Sequence, residues 1–328
     1  MNNKGPFIVT SPEELVMRDV FIEMPDMCQG RVMLKYEGFN AAGSIKMKSA
    51  LSIIDQMEAS GELKPGCEII ESSSGNLGVA LSIICAARGY KFTCVTDPAS
   101  TENARYAIRA TGANLIIVEE RDENGGYLMT RLKTIAEMCE QNPNLIWTNQ
   151  YANQANCFAH YSATGPEILE AFPEVDWLFI GAGTTGTLMG CTRFFKEHSP
   201  NTKIVAVDTE GSITFGGDTG KRYIPGLGTS RVPPICDHDE VEQVQMIAEI
   251  MTVKECRYWA SKGYMFGGST GTVLAAIREY ADQIGADDTV VCISPDGGEK
   301  YLNTIYNPNW VEKNLTNLTR TPQRKFNR

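Results

Sequence analysis

Three stretches of this chain carry residue types that could act together. Gly43-Ser44-Ile45-Lys46 ends in a primary amine, and Glu71-Ser72-Ser73-Ser74-Gly75-Asn76 is a polar turn. Gly181-Ala182-Gly183-Thr184-Thr185-Gly186-Thr187 is a glycine-threonine run. After Asn40-Ala41-Ala42-Gly43, Lys46 is expected in the first turn of a helix. The positive end of the helix dipole lowers a lysine pKa there and suits the amine to attack a carbonyl. Serine hydroxyls and N–H groups at a helix start form an anion site, where Ser73, Ser74 and Gly75 could take a carboxylate and Asn76 could touch a ring oxygen. The N–H groups and hydroxyls of Gly183, Thr184, Thr185, Gly186 and Thr187 suit a phosphate monoester. An amine for an aldehyde, donors for a ring and substrate, and a phosphate cradle are the needs of pyridoxal 5'-phosphate.

Each stretch also has a plainer reading. Lys46 and Lys48 equally fit surface charges on a helix. The serine turn equally fits an N-cap cluster closed by Ser74 or Asn76. The run from Gly181 to Gly186 matches G-x-G-x-x-G after a strand, and Asp208 ends the next strand, so a dinucleotide-binding oxidoreductase is the rival. Against the rival stand the mid-chain position, the threonine hydroxyls, and the lack of any role for Lys46 and the serine turn. A catalytically silent regulatory or binding subunit is a third reading.

The elements that must position these residues follow from periodicity. Apolar runs at 67–71, 92–95, 115–118, 145–147, 177–180, 204–207 and 290–293 read as buried strands. Helical periodicity marks 46–60, 76–88, 103–111, 127–141, 186–198 and 271–284. Strand and helix in alternation predict an α/β fold with mostly parallel sheets. Residues 211–240, rich in Gly, Pro and Asp, predict a long loop. The polar tail from 315 to 328 is expected to be poorly ordered. The net charge of −10 argues against nucleic acid and anionic membranes as partners and requires local cations for an anionic substrate. Ten cysteines without C-x-x-C spacing and only three histidines make a metal site unexpected. Free thiols, no export signal over 1–10 and no apolar stretch of transmembrane length predict a cytoplasmic protein.

Together these residues resemble the fold-type II pyridoxal-phosphate family of cysteine synthase and cystathionine β-synthase. The family's lysine motif N-P-x-G-S-x-K stands here as Asn40-Ala41-Ala42-Gly43-Ser44-Ile45-Lys46, with alanine in place of proline. Met47-Lys48 replace the family's Asp-Arg, and Leu77 replaces a threonine after the Ser-Gly-Asn turn. Gln150, in Asn149-Gln150-Tyr151-Ala152-Asn153, matches the glutamine that contacts the substrate carboxylate. Ser269, in Gly267-Gly268-Ser269-Thr270-Gly271, matches the serine facing the pyridine nitrogen. The likeness runs over about residues 30–305 and implies two three-layer αβα domains, like the tryptophan synthase β fold, and a homodimer. The domains are expected at 1–36 with 146–308 (larger, phosphate-binding) and at 37–145 (smaller, mobile, substrate-binding), with a C-terminal tail at 309–328.

Within the family, the stretches 125–131, 149–153, 225–233 and 266–271 resemble the branch that joins O-phospho-L-serine to L-glutamate. That branch is expected to carry serine where Gly183 stands. The resemblance implies small amino-acid substrates and β-replacement, with cysteine synthesis as the alternative. Arg131 is the candidate for a phosphate leaving group, although it equally fits an exposed helix arginine. Arg222 and Arg231 are the candidates for a dicarboxylic nucleophile, and Tyr151 is expected beside the substrate or in the core.

Overall fold

A computed structural model describes residues 8–123 and 125–315; the sequence expectations for 1–7 and 316–328 lie outside the described residues. Among the described residues ten strands form two sheets, and ten α-helices accompany them. The strands are β1 (Phe21–Glu23), β2 (Arg31–Tyr36), β3 (Glu68–Ser72), β4 (Lys91–Thr96), β5 (Asn114–Ile117), β6 (Leu145–Trp147), β7 (Trp177–Gly181), β8 (Lys203–Thr209), β9 (Gln243–Ile247) and β10 (Thr289–Ser294). The first helices are α1 (Lys46–Ala59), α2 (Asn76–Arg88), α3 (Glu102–Ala110) and α4 (Leu128–Gln141). A π turn (His160–Thr164) separates α5 (Ala155–Ala159) from α6 (Gly165–Ala171). They are followed by α7 (Gly186–His198), α8 (Glu249–Ala260), α9 (Gly268–Glu279) and α10 (Pro308–Leu315).

The larger sheet runs β1-β2-β10-β7-β8-β9 and is parallel except for the edge strand β1. The smaller sheet runs β5-β4-β3-β6 and is parallel throughout. Side chains alternate across each strand, so every strand feeds two cores. Trp177 and Phe179 pack with α9 on one face, while Leu178 and Ile180 pack with α7 on the other. In the smaller sheet Ile69 joins α1 and α2, and Ile70 joins α4. Both units are therefore three-layered αβα, as expected, because parallel strands need helices on both faces.

The expected domain boundary between 145 and 146 runs through β6. Leu145, Ile146 and Trp147 all pair with β3, so the strand stays with the smaller sheet. The expected tail at 309–328 begins instead inside α10, which buries Val311 and Leu315. Among the described residues no helix is long and apolar enough to cross a membrane.

Candidate active site

A cleft of about 580 Å³ opens at the C-terminal ends of β3, β7 and β10, the edge where ligands bind in open parallel sheets. Lys46 lines it from the first position of α1. The preceding turn delivers it. Gly43 holds φ +61, a left-handed value that glycine adopts without strain, and Asn40 Oδ1 accepts from Ala42 and Ser44 N–H. Ile45 N–H donates to Pro295 O at 2.8 Å, which ties the turn to the end of β10. Burial lowers the Lys46 pKa to about 8. The neutral amine that attacks an aldehyde is thus accessible near physiological pH.

The serine turn leaves β3 and enters α2. Ser73 Oγ accepts from Gly75 N–H at 3.2 Å and from Gly78 N–H at 2.9 Å, so Ser73, rather than Ser74 or Asn76, closes the helix. Ser73, Ser74, Gly75 and Asn76 all line the cleft. The Asn76 amide, expected to touch a ring oxygen, is already engaged. Its Nδ2 donates to Asp296 Oδ2 at 2.7 Å and its Oδ1 accepts from Lys300 Nζ at 2.9 Å. Beneath the turn lies Glu71, a buried carboxylate that accepts from Ser72 N–H, Thr148 Oγ1, Gln150 N–H and Trp147 Nε1. Gln150 and Tyr151 line the cleft, and Gln150 Nε2 donates to Ser72 O at 2.9 Å.

The glycine-threonine loop joins β7 to α7, with Gly183 and Thr184 in the cleft wall. Thr185 caps α7 at φ +68, an uncommon conformation for a β-branched residue and one that tends to be kept at functional sites. Its hydroxyl is buried, with the Cys236 thiol as its neighbour and no hydrogen bond of good geometry among the described residues. A Cβ at Gly183 would come within 2.5 Å of Gly226 O, and one at Gly186 within 2.3 Å of Asn156 Oδ1. The loop is glycine where backbone and amide approach it. Thr185, Gly186, Thr187 and Ser269 are not in the cleft wall, and Thr187 Oγ1 lies 3.2 Å from His160 Nε2. Ser269 begins the buried face of α9, and a Cβ on the cleft residue Gly226 would come within 2.3 Å of its Oγ.

Arg131 is buried, at 7% exposure, rather than on a solvated helix face. It lines the cleft beside Asp97, whose Oδ2 lies 3.4 Å from its Nε, yet neither Nε nor Nη1 has a hydrogen-bond partner among the described residues. Arg222 and Arg231 depart from expectation. Arg222 donates to Gly211 O and to Ser230 Oγ within its own loop, and Arg231 is exposed outside the cleft lining. The loop carbonyls already use the first guanidinium, and water solvates the second.

Sequence reasoning missed Asp296, Glu299, Lys300 and Tyr301. Asp296 is buried, its pKa raised by burial, and it accepts from Asn76 and Tyr301; the other three line the cleft. Their signal was the polar run Ser294-Pro295-Asp296-Gly297-Gly298-Glu299-Lys300 at the end of a parallel strand. Asp208, the ribose partner in the dinucleotide reading, is fully buried, bonds Thr209 N–H at 2.7 Å and does not line the cleft.

These residues fit pyridoxal 5'-phosphate: a deprotonatable amine, a buried threonine hydroxyl at a helix N-terminus, and a loop narrowed to glycine. Among solved structures, O-ureido-L-serine synthase is similar at TM-score 0.84 and 30% identity, over 92% of this chain and 96% of that one. An O-acetylserine-dependent cystathionine β-synthase from Helicobacter pylori reaches TM-score 0.85 and 25% identity, over 92% of this chain and 100% of that one. A hydrogen sulfide-producing enzyme from Fusobacterium nucleatum reaches TM-score 0.85 and 28% identity, over 90% of this chain and 100% of that one. A family model described as pyridoxal-phosphate dependent enzyme matches residues 22–296, and with the lysine, serine turn and glycine-threonine loop gathered on one cleft, the chain belongs to that family of enzymes.

Proposed function

We propose that this enzyme performs β-replacement on O-phospho-L-serine with L-glutamate as nucleophile. The products are N-(2-amino-2-carboxyethyl)-L-glutamate and phosphate, a route to 2,3-diaminopropionate for a siderophore or peptide. The observation that carries the reading is Arg131, a buried guanidinium in the cleft wall with two nitrogens lacking hydrogen-bond partners among the described residues. Asp97 neutralises this cation from one side, at 3.4 Å from Nε, and the donors it leaves without hydrogen bonds suit a second anion. A dianionic phosphate supplies the bidentate partner. Three of the four stretches resembling the glutamate-using branch also reach the cleft, through Arg131, through Gln150 and Tyr151, and through Pro225, Gly226, Gly228 and Thr229.

Pyridoxal 5'-phosphate, when bound, supplies an aldehyde for the substrate amine and a ring that takes up electrons from Cα. Lys46 would hold the aldehyde and, when its amine is free, would take the Cα proton. The serine turn and Gln150 hold the substrate carboxylate. Gly183 and Thr184 of the cleft wall, with Thr185, Gly186 and Thr187 at the start of α7, would hold the cofactor phosphate, and Ser269 would give the pyridine nitrogen a neutral partner. Arg131 takes the leaving phosphate as the Cβ–O bond breaks. A Cβ–N bond to glutamate then forms, the amine proton passes to solvent, and Lys46 returns a proton to Cα. The unit around the smaller sheet acts as the mobile substrate domain.

The test is product formation by mass spectrometry and phosphate release. Wild type is expected to prefer O-phospho-L-serine over O-acetyl-L-serine and glutamate over sulfide. Arg131→Ala should lower the rate on the phosphorylated substrate roughly tenfold to a hundredfold, as expected for one charge-assisted contact, and leave the neutral ester nearly unchanged. Equal losses on both substrates would make Arg131 structural. A wild type that prefers O-acetyl-L-serine and sulfide would replace this reading with cysteine synthesis.

A further inference from the structure

We infer that His160 is a positioning residue, joining the Lys46 helix to the phosphate-loop helix and fixing the Thr187 hydroxyl as a hydrogen-bond donor. The inference rests on the reading of Gly183 to Thr187 as the cofactor's phosphate cradle. His160 opens the π turn and is fully buried. Local π geometry recurs at functional sites. Hydroxyls from three elements meet on its ring: Ser49 Oγ of α1 lies 3.1 Å from Nε2, Thr187 Oγ1 of α7 lies 3.2 Å from Nε2, and Thr164 Oγ1 lies 3.0 Å from Nδ1.

One arrangement of hydrogens satisfies every contact. Lys48 Nζ, a donor only, reaches Thr164 Oγ1 at 3.4 Å while also donating to Glu37 and Glu167. With Lys48 as donor to its oxygen, Thr164 can give its own hydrogen to Nδ1, and we take this arrangement, which puts the ring hydrogen of a neutral imidazole on Nε2. Nε2–H is given to the oxygens of Ser49 and Thr187. Thr187, accepting there, keeps its hydroxyl hydrogen for an anion held at the start of α7. In the other tautomer Thr187 and Ser49 compete to give a hydrogen to Nε2, which sets the Thr187 hydrogen against the loop. Burial, with Lys48 and Lys46 nearby, favours the neutral ring. Lys48, which stands where the wider family has arginine, thereby acquires a function in this chain.

The experiment measures dissociation of pyridoxal 5'-phosphate from the holoenzyme by loss of visible absorbance, with the 31P signal of the bound cofactor as a second readout. Thr187→Val is expected to weaken retention roughly tenfold to a hundredfold, as for one hydrogen bond to a charged group. His160→Ala should weaken it by a similar factor, and the double variant by no more than either alone. His160→Gln, which can place an amide N–H near Nε2, should recover most of the loss, and Thr164→Val should lose part of it and move the 31P signal. Losses that multiply in the double variant would overturn the inference. So would a His160→Ala protein that melts lower but retains cofactor normally. Should His160→Ala not fold, Thr164→Val carries the test, and unchanged retention and 31P signal there would overturn it. Wild-type retention in both Thr187→Val and Gly183→Ala would overturn the cradle reading and this inference together, which separates the two failures.

Discussion

Lys46 has its amine at the cleft wall and its pKa lowered to about 8 by burial. Lys46→Ala should abolish both the visible absorbance of the bound cofactor and turnover, while the melting temperature of cofactor-free protein stays near wild type. Turnover at the wild-type rate would remove the central assignment. The lowered pKa has a second consequence. In the unfolded chain the amine titrates near pH 10.5, so between about 8 and 10.5 the unfolded state binds more protons than the folded one. The burial penalty is fully present below pH 8 and fades as pH rises through that window. Denaturant midpoints of cofactor-free wild type should therefore gain on those of Lys46→Met from pH 8 to 10.5. Parallel curves would mean that the folded amine has its ordinary pKa. Lys46 was legible because a glycine turn precedes a helix start. Arg131 was legible as a candidate, but its burial was not, since helix spacing alone does not say which face the smaller sheet covers. Arg231 was misplaced because a loop's sequence does not set the direction of its side chains.

At the scale of elements, α2 and α7 begin and end where periodicity placed them, because glycine-rich turns and a following Gly89 or Ser199-Pro200 punctuate both. The helical stretch from α5 to α6 escaped notice. Gly165-Pro166 reads as a turn, yet a π turn carries the chain through it and proline sits in the first turn of α6, where its missing N–H costs little. Strand β2 escaped because Lys35 interrupts its apolar run. That lysine is fully buried, and its Nζ lies 2.9 Å from Glu167 Oε2 and bonds Arg18 O at 2.6 Å. An ion network that satisfies a buried charge is invisible to hydropathy. The glycine-threonine loop explains the glycine at 183, where the resemblance led us to expect serine. Gly226 lies between position 183 and Ser269 Oγ, so a side chain at 183 meets a backbone that has little room to retreat. Gly183→Ser is expected to destabilise by about 1–3 kcal/mol, the usual cost of overpacking a close contact. A wild-type melting temperature would show that the segment from Pro225 to Gly228 yields freely.

The whole molecule places its chemistry between two sheets, and polar contacts join them from Lys48 and Ser49 of α1 and from Asn76 of α2. Asn76, at the start of α2 beside the smaller sheet, donates to Asp296 and accepts from Lys300, both past the end of β10 in the larger one. Lys300 also donates to Ala42 O and Gly43 O in the turn that delivers Lys46. Asn76 joins two of these contacts, so its removal should loosen the smaller unit at this edge of the cleft without disturbing either core. Asn76→Ala leaves Asp296 Oδ2 its Tyr301 partner at 2.7 Å and leaves Lys300 its two carbonyls. The stability lost should then be modest, about 1–3 kcal/mol for removing a partner of buried polar groups. Motion should change more than stability. Hydrogen exchange is expected to quicken in α1, α2 and the turn before Lys46, with β7, β8 and β10 unchanged, and the KM for the amino-acid substrate should rise more than kcat falls. Faster exchange spread evenly over both sheets would mean that the two units open only by unfolding together, and the smaller one would then not be a moving substrate domain.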